Sequence, residues 1–316
     1  GDLGVFGECS AKSGRGWGRI FANMVAAENM NTNAYKTPTP AGLRKMFGKI
    51  YPNQPARQPR HRTPRAANNT RMRRAISWLE RYAIYETIEK SRGMAGKLIE
   101  ERFLCLWISL NAAYGSDHFI RKASRPSEPV QFRKLLKNIL DFCESDADSM
   151  RRLVCAISMC EDKIIELAKT PFLYSQFWRA EKDVNLEKYH AWVSARGPDK
   201  EHRKMQSEIQ KRIDELSSAH IRPAKREPVR YVLNQTFERL HILRNQVMHG
   251  SSEYEEKYNR SSLAPGIAVL RACLPEILHL MMTAMRQNPG DGRWGRVAFP
   301  PYLPQPNISQ NPPRNS

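Results

Sequence analysis

The chain has 316 residues, a net charge of +19 and an isoelectric point near 9.9, with 41% hydrophobic residues against 21 prolines and a mean hydropathy of −0.62. That is enough chain for one large domain or two, but too polar for all of it to pack. The charge favours a polyanionic partner, RNA or DNA ahead of an anionic membrane; no charged n-region followed by an apolar h-region opens the chain, so no signal peptide is expected, and the best apolar run, from Ile267 to Met285, contains Arg271, Glu276 and His279, which argues against a membrane span.

Residues 1–70 are expected to form a disordered basic arm or leader. They mix Gly, Pro, Asn, Thr and Arg without sustained periodicity, as in Thr37-Pro38-Thr39-Pro40 and Gln58-Pro59-Arg60-His61-Arg62-Thr63-Pro64-Arg65, and at most a short helix is expected around Phe21 to Asn29. Residues 1–74 hold 14 Lys+Arg against 3 Asp+Glu, and residues 75–316 hold 37 against 29, so more than half of the net charge lies at the front. The chain does not begin with Met, and Met72 reads as a natural beginning for the folded part.

A helical period takes over at Arg71, and residues 71–286 are expected to form one all-α, up-and-down helical bundle. Ile76, Leu79, Tyr82, Ala83 and Ile88 make a first stripe; Leu98, Phe103, Leu106, Trp107, Leu110 and Tyr114 make a second, stopped by Gly115. After Arg125-Pro126-Ser127 comes a third, with Phe132, Leu135, Leu136, Ile139 and Leu140. A fourth, capped by Asp146 or Ser149, carries Leu153, Val154, Ile157, Ile164, Ile165 and Leu167 up to Thr170-Pro171.

Residues 174–226 read as a polar helical insertion. The helix from Glu201 to Ala219 has only a thin stripe of Met205, Ile209, Ile213 and Leu216, which predicts shallow packing or a protrusion, either to clamp RNA or to lengthen the bundle. A further helix follows, with Pro228 in its first turn and Val232, Leu233, Phe237, Leu240, Leu243 and Val247 on its buried face, ended by Gly250. After a polar loop, Ile267, Leu270, Leu274, Ile277, Leu278 and Met281 build the last long helix, kinked at Pro275, with Met281, Met282 and Met285 filling core or a dimer seam. Residues 287–316 form a Pro-rich tail in which Trp294 and Phe299 are expected to fold back. The six cysteines (Cys9, Cys105, Cys143, Cys155, Cys160 and Cys273) contain no C-x-x-C pair and read as buried hydrophobes in a reducing, cytoplasmic setting.

Chemistry concentrates in Arg244-Asn245-Gln246-Val247-Met248-His249. An imidazole can move a proton to or from a ribose 2′-hydroxyl or a leaving oxygen, while a guanidinium neutralises a phosphate as charge builds on it. On one straight helix the two side chains stand roughly 140° apart in azimuth and about 7.5 Å apart along the axis. Either the helix ends at Gly250 and releases His249, or a two-fold dimer joins two motifs in one cleft. A capping His249 is the structural alternative. No Gly-rich phosphate loop, H-E-x-x-H, G-x-S-x-G or paired metal-binding carboxylates occur, and no cofactor or metal is expected.

Phe103-Leu104-Cys105-Leu106-Trp107-Ile108-Ser109-Leu110-Asn111-Ala112-Ala113-Tyr114-Gly115, then Leu243 to Gly250, then Asn259-Arg260, the apolar helix from Ile267 to Met285, Trp294-Gly295-Arg296 and Phe299-Pro300-Pro301 together resemble the HEPN superfamily, most closely its Apea-like branch. The resemblance covers about residues 72 to 304. It implies an all-helical homodimer and a metal-independent endoribonuclease acting on tRNA or other structured RNA in phage defence or stress, with a defence-system protein as a further partner. It assigns the catalytic roles to Arg244 and His249 of the R-x4-6-H motif, with Asn245 at the motif's polar position. The tyrosine that follows the histidine in toxin branches is replaced by Gly250-Ser251, which points away from that branch. Asn111 and Tyr114 either line the cleft or satisfy each other, Arg260 either binds phosphate or is solvated, and His241 is structural or solvated. The alternative function is a noncatalytic RNA-binding or partner-binding HEPN module.

Overall fold

The computed structural model describes residues 35–52, 63–115, 127–175, 200–217, 226–248 and 257–295. Regular structure among them is helical throughout, as the period-3.6 stripes predict. The expected Phe21 to Asn29 helix, His249, Gly250 and Phe299 lie outside the described residues.

Folding begins earlier in the chain than Arg71, which corrects the boundary of the arm. Helix α1 (Pro40–Ile50) and helix α2 (Pro64–Ser91) each start at a Thr-Pro pair. Thr39 Oγ1 accepts from Gly42 N at 3.1 Å and Thr63 Oγ1 from Ala66 N at 3.3 Å. Proline at the first helical position needs no N–H and arrives with a helical φ, so the residues that read as loop are helix starts. Leu43, Ile50 and Tyr51 of the α1 segment are buried, as is the run from Ala66 to Met72 in α2.

That run includes Asn68, Asn69, Thr70 and Arg71, which carry no apolar stripe to be read. The polar groups of Asn68 and Arg71 bond main-chain carbonyls instead. Asn68 Nδ2 donates to Asp291 O at 3.0 Å; Arg71 Nη1 donates to Ala113 O (2.9 Å) and Gly115 O (2.7 Å), and its Nη2 to Gly295 O (3.2 Å). Arg71 thereby closes the C-terminus of helix α3 (Ile99–Tyr114) and ties it to the segment beyond Gln287. Burial lowers its pKa to about 10, still far above neutral, so it works as a buried cation.

Helices α2 and α3 form an antiparallel hairpin, pinned by Ser109 Oγ to Ala75 O (2.7 Å) and by Arg102 Nη1 to Glu89 Oε2 (2.5 Å). Helix α4 (Glu128–Glu144) buries Phe132, Leu135, Leu136, Ile139 and Leu140 as expected. The fourth stripe is two helices, α5 (Ala147–Ser158) and α6 (Glu161–Lys169), broken at Met159-Cys160. Asp146 is the cap of α5, accepting from Asp148 N at 3.1 Å and from Ser149 Oγ at 2.6 Å.

Helix α7 (Lys200–Ser217) does not protrude. It packs against α6 and the motif helix α8 (Arg226–Met248), and Ile209, Ile213 and Leu216 are almost wholly covered. A thin stripe suffices because the helix meets more than one neighbour along its length. His202 adds a buried polar contact, with Nε2 2.9 Å from Ala168 O. The region read as an insertion is therefore partly core.

Helix α9 (Lys257–Gln287) starts ten residues before Ile267, inside the expected loop, and contains Pro265 as well as Pro275. It packs against α1 through α6 and α8, and Met281, Met282 and Met285 are fully buried within the chain. Its stretch from Arg260 to Gln287 is long and apolar enough to cross a membrane, but 78% of that window is buried in the fold, as in a core helix. At Gly266 a Cβ would stand 3.1 Å from Leu243, 3.3 Å from Leu240 and 3.3 Å from Phe103, so α9, α8 and α3 meet there at close range. Trp294 does fold back, 6% exposed, in a 3-10 turn capped by Asp291. Cys105, Cys143, Cys160 and Cys273 are buried thiols, as expected, and Cys155 is half-buried.

Candidate functional site

Arg244 lies one turn before the described end of α8, on the face that meets α3 and α4. Leu240 and Leu243 hold the helix to the core, which brings the half-buried side chain of Arg244 under Trp107 of α3, its guanidinium carbon 5.5 Å from the indole centroid. Nη2 reaches both oxygens of Glu128, at 2.7 and 3.0 Å, and Nη1 donates to Asn245 Oδ1 at 2.7 Å. Three helices thus supply one cradle.

Glu128 is its centre, although the sequence did not single it out. It stands in the first turn of α4, where the helix dipole favours a carboxylate. Besides Arg244 it accepts from Tyr114 Oη at 3.2 Å and lies 3.3 Å from His241 Nδ1, off the hydrogen-bond direction. Burial, with the adjacent carboxylate, raises the Tyr114 phenol far above its ordinary range, so Tyr114 acts as a neutral donor.

His241 is half-buried, one turn before Asn245, with its ring 6.0 Å from Trp107 and 6.2 Å from Phe237. Asn245 Nδ2 stands 3.4 Å from its Nε2. With Nε2 accepting from that amide, the proton sits on Nδ1, near Glu128 but not hydrogen-bonded to it. Burial first, and then the Arg244 charge, lower the His241 pKa; Glu128 pulls the other way without prevailing. Below the cluster Phe132 and Phe237 stack at 3.7 Å, and Tyr114 meets both rings edge-on.

Of the residues singled out from the sequence, Arg244, Asn245 and Tyr114 therefore come together. Asn111 does not join them: its carbonyl accepts from Gly115 N at 2.6 Å, and its side chain makes no hydrogen bond among the described residues, so it does not satisfy Tyr114. Arg260 is elsewhere, its Nε 2.9 Å from Glu100 Oε1 and its Nη2 3.2 Å from Gly96 O, at the opposite end of α3. Seven residues separate Glu100 from Trp107, about 10 Å along the helix. Arg260 is thus paired with a carboxylate and not solvated.

His249 follows the last described residue of α8, Met248, which is 57% exposed. Glu128 escaped the sequence reading, and His241 was read there only as structural or solvated. An acid in a first turn and a histidine on a helix are common, and only the packing of α4 on α8 brings both beside one guanidinium.

The cluster can hold an anionic oxygen if that oxygen replaces Glu128 on Arg244, with Asn245 and neutral Tyr114 as further hydrogen-bonding groups. Among the described residues no three His, Cys, Asp or Glu side chains gather as a metal-binding group. No protein-family model, curated protein or solved structure matches this chain.

Proposed function

We propose that this chain is a HEPN-type, metal-independent endoribonuclease that cleaves tRNA or another structured RNA in phage defence or a related stress response. The ribose 2′-hydroxyl attacks the adjacent phosphorus and the 5′-oxygen leaves. His249 transfers the proton at one of these oxygens and solvent water at the other, so the 2′-hydroxyl loses a proton and the leaving 5′-oxygen gains one, while Arg244 neutralises the charge that grows on the phosphate. A homodimer brings two copies of the motif to one cleft, and a defence-system protein is a further expected partner.

One observation supports the assignment of Arg244. Its guanidinium is neither solvated nor a simple surface pair but is held by Glu128, Asn245 and Trp107 in an orientation set by three helices. A positioned guanidinium is what phosphate recognition requires, since its fork must meet two oxygens at a fixed angle.

The same geometry favours a second reading. Glu128 already neutralises Arg244, as in a noncatalytic HEPN module that binds RNA or a protein partner with other surfaces. Incubating the purified protein with total RNA in EDTA separates the two. Cuts with 2′,3′-cyclic phosphate or 3′-phosphate and 5′-hydroxyl ends support the nuclease; intact RNA, or cleavage that needs Mg²⁺ and leaves 5′-phosphates, favours the module.

A further inference from the structure

Helix α2 carries a stripe outside the Arg244 cluster. Arg74, Trp78, Arg81 and Tyr85 follow one another at intervals of four, three and four residues, which places them within roughly 60° of azimuth on one side of the helix. Trp78 is 38% exposed, an indole that folding leaves partly in water although α2 buries Ile76, Leu79 and Tyr82 beside it. Arg81 is exposed, and its guanidinium covers the half-buried Tyr85 ring, 4.7 Å from the centroid, while Nη2 donates to Tyr85 Oη at 3.2 Å.

The acids of this helix do not meet Arg81. The three acids of α2 are engaged elsewhere: Glu80 with Arg44 of α1, Glu86 with Lys90 and Arg271, Glu89 with Arg102. No carboxylate pairs with Arg81 among the described residues; its partner there is Tyr85, through ring and hydroxyl, and the residue is exposed. Indole, guanidinium on phenol, and a further half-buried arginine one turn before the indole form an aromatic and basic track.

We propose that this track is a binding platform for single-stranded nucleic acid, bases stacking on Trp78 and on the Arg81–Tyr85 pair and phosphates meeting the Arg81 guanidinium. Trp78 and Tyr85 are seven residues apart, roughly 10 Å along the axis, which is the span of about three stacked nucleotides at 3.4 Å each. Every base has a π-face, so such a platform holds a strand without reading its sequence. The chain's net charge of +19 favours a polyanionic strand over a protein face as the occupant. The platform goes beyond cleavage, since a strand is held whether or not it is cut.

The full chain is titrated with a fluorescent 2′-O-methyl oligouridine, which lacks the attacking hydroxyl and so reports binding even if the nuclease reading fails. Inorganic polyphosphate is the second probe, an anion without bases. Trp78→Ala weakens oligouridine binding about tenfold and leaves polyphosphate binding unchanged, and Trp78→Phe restores most of the loss while Trp78→Leu does not. Arg81→Ala weakens both probes and flattens the oligouridine salt slope by about one. The proposal is overturned if the parent fails to bind oligouridine at micromolar concentration in low salt, if Trp78→Ala and Trp78→Phe bind within twofold of each other, or if Trp78→Ala weakens both probes equally. It is also overturned if Trp78→Ala turns a dimer into a monomer at unchanged oligouridine affinity, which would assign the track to a second copy of the chain.

Discussion

At the scale of single residues, Glu128 decides what Arg244 can do. A phosphate entering the cradle must displace a carboxylate that already holds the guanidinium at 2.7 and 3.0 Å. Glu128→Gln keeps an acceptor for Arg244 and Tyr114 but removes the charge that repels the phosphate. Binding of a 2′-O-methyl RNA is expected to tighten a few-fold, by filter binding, through the loss of one like-charge contact. Weaker binding would mean that the carboxylate serves to position Arg244 more than it competes with the ligand. His241 gives the cluster a pH signature. Its folded-state pKa lies below the ordinary 6.5 because burial disfavours the charged ring, and His279 is lowered for the same reason. Unfolding takes up protons as pH falls through 6.5, so the stability these two rings permit is complete above about pH 7 and is lost on acidification until the folded rings themselves protonate. Asp141 and Asp146, whose pKa values are depressed by hydrogen bonds from Lys137 and Ser149, lose their contributions only at much lower pH. Urea midpoints measured from about pH 7.5 to 5.5 should fall, and His241→Gln should flatten part of that slope; a midpoint independent of pH in the variant and parent alike would contradict the assignment.

At the scale of elements, the long apolar stripes were legible and the polar closures were not. Ile76 to Tyr82, Phe103 to Tyr114, Phe132 to Leu140 and Val232 to Leu243 read directly from the sequence because each buries a continuous face. The start of α2 did not, since Asn68 and Arg71 are buried against carbonyls supplied by residues 113–115 and 289–295, partners that no local pattern reveals. The two Thr-Pro starts carried a local signal, a cap followed by a proline, which the surrounding Pro and Arg obscured. Arg71 tests this closure. Arg71→Met fills a similar volume but leaves three inward carbonyls without their donor, and it is expected to cost about 3 kcal/mol of unfolding free energy. Lys90→Met on the exposed end of the same helix should stay within about 0.5 kcal/mol of the parent. Equal urea midpoints for the two variants would refute the closing role of Arg71.

At the scale of the whole molecule, the fold sets Arg244, Asn245 and Tyr114 around Glu128 while sending Arg260 to Glu100. The Arg244 side of the site was therefore readable as a motif, but its acid partner was not, because Glu128 lies 116 residues away in sequence. The α2 track and the Arg244 cradle share the α2–α3 hairpin: Arg102 and Ser109 join it to α2, and Trp107 joins it to α8. One helix pair thus supports both the proposed strand-binding face and the Arg244 cradle. The measurement that bears most directly on the nuclease reading is single-turnover cleavage of tRNA in EDTA by the parent, His249→Ala and Arg244→Lys, with the product ends mapped. The parent is expected to give 5′-hydroxyl and 2′,3′-cyclic phosphate ends. His249→Ala should be slower by about a hundredfold or more, and Arg244→Lys should fail because a point ammonium cannot reproduce the guanidinium fork. Residual activity of His249→Ala within tenfold of the parent, or products with 5′-phosphate ends, would contradict it.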